Sequence, residues 1–147
     1  NCRFDRSKLD HLIIMEGKLS GATFHAASVK GAKLCEAEAN ECSFVETDLE
    51  GANLEGSDFK ACDFTNANLR RAHLYGCDFT GSRFVGANLE DVVFASSVLK
   101  DVTFEKCRLA RANFSGADLT GATLSGCTGL NLVTTDAETV GAEALKP

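Results

Sequence analysis

Residues 52–69 read ANLEGSDFKACDFTNANL, with a large apolar residue at every fifth position: Leu54, Phe59, Phe64 and Leu69. Two residues before each stands a small one: Ala52, Ser57, Cys62 and Ala67. Stepping outward in both directions, the register holds from Phe4 to Leu124, twenty-five consecutive positions. All are apolar, and all but Ala39 are large; the next step, Gly129, ends the pattern. The preceding small position is equally persistent, its exceptions being Leu12, Val92 and Val102. Ten of the thirteen glycines fall two residues after the large one.

A period of five fits neither common element. On an α-helix, steps of five scatter around the axis and leave no apolar stripe. On a continuous strand, an odd step sends successive large residues to opposite faces. A coil that turns a corner once per five residues satisfies the pattern, because every fifth side chain then points inward. Glycine two residues past the centre suits a corner that requires positive φ.

Ala-Asn-Leu at 52–54, 67–69 and 87–89, Ala-Asn-Phe at 112–114 and Ala-Asp-Leu at 117–119 carry a specific signature. With it the chain resembles the pentapeptide-repeat proteins, whose motif is A-(D/N)-L-x-x. The resemblance implies an all-β fold, a right-handed quadrilateral β-helix with four repeats per coil. The residues support a four-sided coil independently. At intervals of twenty, one wall reads Phe4, Phe24, Phe44, Phe64, Phe84, Phe104 and Leu124. The next reads Leu9, Val29, Leu49, Leu69, Leu89 and Leu109. Intervals of fifteen or twenty-five would mix these columns. The expected rod has about six coils and, at a strand spacing of about 4.8 Å, a length of ~30 Å. Each buried Phe or Leu contributes roughly 1.5–3 kcal/mol before ordering entropy is counted.

The β-helix is expected over residues 1–127, with 128–147 as a C-terminal cap. Leu130, Leu132 and Val133 are placed to lie over the last coil, and Thr135 with Glu138 has capping-box spacing for a short helix running to Leu145. Asn1 is not an initiator Met, so the reading places it after a cleavage or inside a longer chain.

Seven cysteines, an odd number, argue against a complete disulfide framework and for a reducing, cytoplasmic setting. Cys2, Cys42, Cys62, Cys77, Cys107 and Cys127 occupy the small inward position, where burial as small hydrophobes is expected; Cys35 alone points outward. Cys42/Cys62 and Cys107/Cys127 stack one coil apart with parallel side chains, which disfavours a bridge. His11, His25 and His73 fall on three different faces and converge on no site. No phosphate loop, nucleophile elbow or zinc spacing is present, so no catalytic residue, metal or cofactor is assigned. The longest apolar run, Leu12-Ile13-Ile14-Met15, is far too short for a membrane span.

The net charge of −6 disfavours direct binding to nucleic-acid phosphates. It is concentrated in residues 36–63, where nine acidic groups face Lys60 alone. On one face the residue before the centre reads Glu38, Asp58, Asp78, Val98, Asp118, with Glu41 nearby. Two readings follow: an acidic ridge for a basic partner, or carboxylates that hydrogen-bond the corners. Outward apolar residues are the second candidate contact. Ile13, Met15, Tyr75 and Val93 share one face; Val45 and Val85 share another. The combined reading is a noncatalytic protein–protein interaction or scaffold module, with a protein partner and a rod end as the place for any homodimer contact. The quinolone-resistance members of the family protect DNA gyrase. Likeness to them implies the alternative that this acidic rod mimics DNA and binds gyrase, although the chain lacks projecting loop insertions.

Overall fold

The computed structural model describes residues 2–146. Its organising feature is a parallel bridge repeated every twenty residues: Arg3↔Thr23, Lys8↔Ser28, Ile13↔Lys33, Lys18↔Glu38, and onward along all four sides. Through the repeats, from Arg3 to Asp118, the isolated bridges join residues that stand immediately before the inward centre. Phe4 donates its N–H to the Thr23 carbonyl (2.7 Å), and Thr23 donates to the Cys2 carbonyl (3.0 Å). The next coil repeats the arrangement. Each side is so short before its corner that few lengthen into strands. On one wall β1 (Arg83–Val85), β2 (Thr103–Glu105) and β3 (Thr123–Ser125) form a parallel sheet, with Phe84↔Phe104↔Leu124 in register.

The residue two past the centre has φ between 53° and 72° in all twenty-five repeats. Ten of these are the glycines noted above; the other fifteen, including Ala26 and Ala61, accept the left-handed conformation despite their Cβ. The coil geometry therefore dictates the corner, and glycine relieves it only in places.

Inside, Phe4, Phe24, Phe44, Phe64 and Phe84 stack at centroid separations of 4.8–4.9 Å, and Phe104 continues at 5.3 Å. Shorter stacks, Phe59–Phe79 and Phe94–Phe114, meet this ladder edge-on. The small inward residues also work at the corners. At several of them the hydroxyl or thiol of the next coil donates to the carbonyl of the large residue beneath: Thr47 to Phe24, Ser57 to Leu34, Ser82 to Phe59 and Ser97 to Leu74, at 2.6–2.7 Å. Cys42, Cys62 and Cys77 do the same toward Leu19, Ala39 and Leu54.

Two sequence expectations need correction here. Cys2 is exposed and Cys127 only partly buried, because each lies in a terminal coil; Cys42, Cys62, Cys77 and Cys107 are buried, and Cys35 is half-buried rather than free on the surface. The C-terminal segment contains no α-helix among its described residues. It continues the ladder with slipping register, through Arg108↔Thr128, Asn113↔Thr134 and Asp118↔Val140. The added residues are absorbed partly by a 3-10 turn at Leu130–Leu132; Leu130 and Val133 pack against the core, but Leu132 is 51% exposed and does not cover the last coil. A second 3-10 turn, Ala142–Leu145, buries Leu145 over the end of the core. Thr135 and Glu138 form no capping box; instead Asp136 and Thr139 close a turn. The Asp136 carboxylate accepts from the Thr139 hydroxyl and the Glu138 N–H, both at 3.0 Å. It also accepts from the Gly116 N–H one coil below at 2.9 Å, which holds its pKa below the usual carboxylate range. At the opposite end Phe4, Leu9, Leu12 and Ile14 are only partly buried.

Candidate functional site

Glu38, Asp58 and Asp78 stack in register on successive rungs, and Asp118 follows beyond Val98. Like charges at this spacing repel, and the structure relieves the repulsion. The Lys60 ammonium sits 2.8 Å from Asp58 Oδ2 and 3.3 Å from Asp78 Oδ2, and these two carboxylates hold its pKa above the ordinary value. Lys100 lies 3.1 Å from Asp118 Oδ2. The remaining carboxylate oxygens turn back to the corners. Asp78 Oδ1 accepts from the Thr80 N–H at 2.9 Å and its hydroxyl at 2.6 Å, and Asp118 accepts from Thr120 in the same way. Asn53, Asn68, Asn88 and Asn113 make the same backbone contact elsewhere. Burial would raise the Asp78 pKa, but the Thr80 hydrogen bonds and Lys60 bring it below the usual value; for Asp118 the Thr120 hydroxyl is the main cause of the same lowering. Along the length Asp58–Asp118, the ridge is thus a row of corner-bonded, cation-paired carboxylates.

The opposite face balances its charge more fully. Asp10, Lys30, Glu50, Arg70 and Glu90 alternate in sign up one column. Arg70 reaches Glu50 at 3.4 Å and Glu90 at 3.8 Å, Arg108 reaches Glu90 at 2.6 Å, and Arg111 reaches Asp91 at 2.6 Å. Among the described residues Glu36, Glu38, Glu41 and Glu55 belong to no such pair.

Of the apolar candidates, Ile13, Met15 and Tyr75 are exposed by 64%, 53% and 53%, against a half-buried Val93. Met15 and Tyr75 come together with Cys35 as the walls and floor of a shallow groove of about 500 Å³, completed by Glu36, Glu55, Gly56 and Gly76. Its origin is the outward columns. One runs Met15, Cys35, Glu55, Tyr75, with a short side chain at Cys35; the corner column beside it has no side chain at Gly56 and Gly76. Burial, then the Glu55 charge, raises the Cys35 pKa. Ile13 and Val93 lie in the other outward column and do not line the groove. Reading outward positions at the coil interval aligns Cys35 with Met15 and Tyr75, but does not show that Glu36 and Glu55 stay unpaired. His11 and His73 are exposed on different faces, and no cluster of His, Cys, Asp or Glu capable of holding a metal occurs among the described residues. No described helix is long and apolar enough to cross a membrane.

Comparison with known proteins agrees with this architecture. The family model "Pentapeptide repeat region" matches residues 57–132, and "Pentapeptide repeats (8 copies)" matches residues 18–56. No curated protein matches the chain. Among solved structures, it is similar to HetL, a pentapeptide repeat protein involved in heterocyst differentiation regulation from the cyanobacterium Nostoc sp. strain PCC 7120. The TM-score is 0.68 at 24% identity over 94% of this chain. The chain spans 61% of HetL's length. Full-length QnrB1, a plasmid-mediated fluoroquinolone resistance protein, is similar at 18% identity over 92% of each chain, with a TM-score of 0.49. The repeat, its twenty-residue coil and the family models that span residues 18–132 lead to one conclusion: the chain belongs to the pentapeptide-repeat family and folds as its right-handed quadrilateral β-helix.

Proposed function

We propose that this β-helix is a noncatalytic interaction module that binds a protein partner through the face carrying Met15 and Tyr75. The observation that supports it is that two large exposed apolar side chains, Met15 and Tyr75, line one groove together. The inward residues are committed to packing and corner bonding, which leaves the outward columns to carry recognition. A gyrase-directed DNA mimic draws less support. It needs a long file of free carboxylates, whereas Asp58, Asp78 and Asp118 in the file that begins at Glu38 are paired with Lys60 or Lys100.

The test is affinity capture with the wild-type chain and with Met15→Ser/Tyr75→Ser, followed by reconstitution of any complex from purified components. The proposal expects a stoichiometric complex that the double variant weakens without a change in melting temperature. Equal binding by wild type and variant would count against this face. Supercoiling protection of purified gyrase, lost on reversing charge at Glu38, Asp58 and Asp78, would instead favour the mimic.

A further inference from the structure

We infer that the Met15–Tyr75 groove receives a basic, apolar-flanked segment of the partner, a Lys or Arg side chain lying between Glu36 and Glu55 with neighbouring apolar side chains on Met15 and Tyr75. The inference rests on the interaction reading above and adds the chemistry of the occupant. Charge complementarity carries it. Carboxylates on the Asp58–Asp118 ridge and the Glu50–Glu90 column are held in ion pairs, but Glu36 and Glu55, which line the groove, form no ion pair within 4 Å among the described residues. Glu38 and Glu41, close in sequence, are also without an ion-pair partner among those residues, so the groove opens where the acidic excess is concentrated.

The apolar elements fix the rest of the occupant. From Met15 to Tyr75 is three rungs, about 14 Å at the usual strand spacing, a length that about four extended residues would cover. The missing side chains at Gly56 and Gly76 leave room for a long stem: a Cβ on Gly76 would meet nothing within 4 Å, and one on Gly56 only Glu36 Cγ at 3.6 Å. A Lys or Arg fits such a site, its methylene stem against Cys35 and Tyr75 and its charged head at the carboxylates. An acidic segment would face Glu36 and Glu55 without compensation, and a purely apolar one would strip them of water without a partner.

The sequence supplies the reporter. Tyr75 is the only tyrosine and there is no tryptophan, so intrinsic emission above the phenylalanine band reads this groove alone. Peptides of alternating Lys and Leu, Ser and Leu, or Glu and Leu would be titrated into the full chain. The Lys–Leu peptide is expected to change Tyr75 emission saturably, to slow alkylation of Cys35, and to bind more weakly as salt rises. Glu36→Gln/Glu55→Gln should weaken it about tenfold at unchanged melting temperature, the size expected for loss of charge-assisted contacts. Tyr75 emission that stays constant up to about 1 mM peptide, where binding is worth only about 4 kcal/mol, overturns the inference. So does an equal response to the Ser–Leu or Glu–Leu peptide, or an unchanged affinity in the Gln variant. A protein partner that depends on Met15 and Tyr75 but ignores Glu36→Gln/Glu55→Gln would overturn the basic occupant while leaving the interaction module standing.

Discussion

The hydroxyl of Ser57 stands inside the corner of the coil beneath it, donating to the Leu34 carbonyl at 2.7 Å. It also accepts from the Ala37 N–H at 3.0 Å. Most corners close with a direct bond across the turn, such as Ala52 N–H to the Leu49 carbonyl at 3.0 Å. Here the side chain completes the turn instead. Ser82 serves Cys62 and Phe59 in the same way, and Cys62 serves Cys42 and Ala39 with sulfur. Ser57→Ala should therefore cost about 1–3 kcal/mol, leaving a buried donor and acceptor unmatched. Ser57→Cys should recover a large part of that loss. Chemical denaturation of the two variants checks the pair; a Ser57→Ala variant as stable as wild type would show the bridge to be idle.

Phe64 stacks between Phe44 and Phe84 at 4.9 and 4.8 Å and meets Phe59 and Phe79 edge-on. Coils above and below hold its surroundings in place, so Phe64→Ala is expected to cost ~3–5 kcal/mol. Phe4→Ala, in a partly buried terminal position, should cost distinctly less. Reversible melts of both variants provide the comparison, and a loss under about 1 kcal/mol at Phe64 would contradict the packing.

Ala61 has φ of 54° and an exposed side chain. Ala61→Gly should stabilise the fold by about 1 kcal/mol, the left-handed penalty less the added freedom of the unfolded chain. Gly51→Ala, at φ 65° and with nothing within 4 Å of the new Cβ, should destabilise by a similar amount without a clash. A shift of both melting temperatures in the same direction would show that corner strain is not the controlling factor.

Asp78 and Asp118 have folded pKa values below their ordinary ones. Such groups add stability above the unfolded carboxylate pKa of about 4 and lose it as pH falls through the lower folded value. The melting temperature should accordingly be insensitive to these groups from about pH 8 to 5 and should drop below about pH 4. Asp78→Asn/Asp118→Asn should flatten that acid limb while keeping the fold, since asparagine makes the same corner contact at residues 53, 68, 88 and 113. An acid limb as steep in the variant as in wild type would assign it to other carboxylates.

Thiol labelling should proceed in stages. Cys2 is exposed and should react first; Cys35 and Cys127 are partly covered and should follow. Cys42, Cys62, Cys77 and Cys107 should react only on unfolding, with burial pushing the Cys77 thiol up to about 12. Mass-resolved alkylation of the native protein gives the order. Early modification of Cys62 or Cys77 would be incompatible with the inward register.

The phenylalanine wall is legible in the sequence because packing repeats the same demand at every inward position, and one coil interval aligns Phe4 through Phe104. The corner role of Asp78 is legible as one of two readings of its consensus position. The choice between them depends on where Lys60 reaches, which spacing does not reveal for an outward side chain. The C-terminal segment departs from its expected detail for a related reason. Its register slips by extra residues, so Asp136 falls over Gly116 and closes a turn where spacing alone places the start of a helix at Thr135. Cys35 reads as an isolated surface thiol because its surroundings are set by absent side chains at Gly56 and Gly76, a feature of shape rather than of chemistry.

The uniform bridge interval also bears on how the chain acquires its fold. Each rung closes a loop of the same size, twenty residues, from Arg3↔Thr23 through Arg108↔Thr128. The entropic cost of adding a coil is therefore nearly constant along the rod and depends little on overall length. Once two adjacent coils have formed, growth resembles a zipper in which each new turn needs only the last one as its template. A chain emerging from the ribosome could add coils in order, without waiting for its far end. Leu145, buried against the end of this core, shields that surface from serving as a template for another strand.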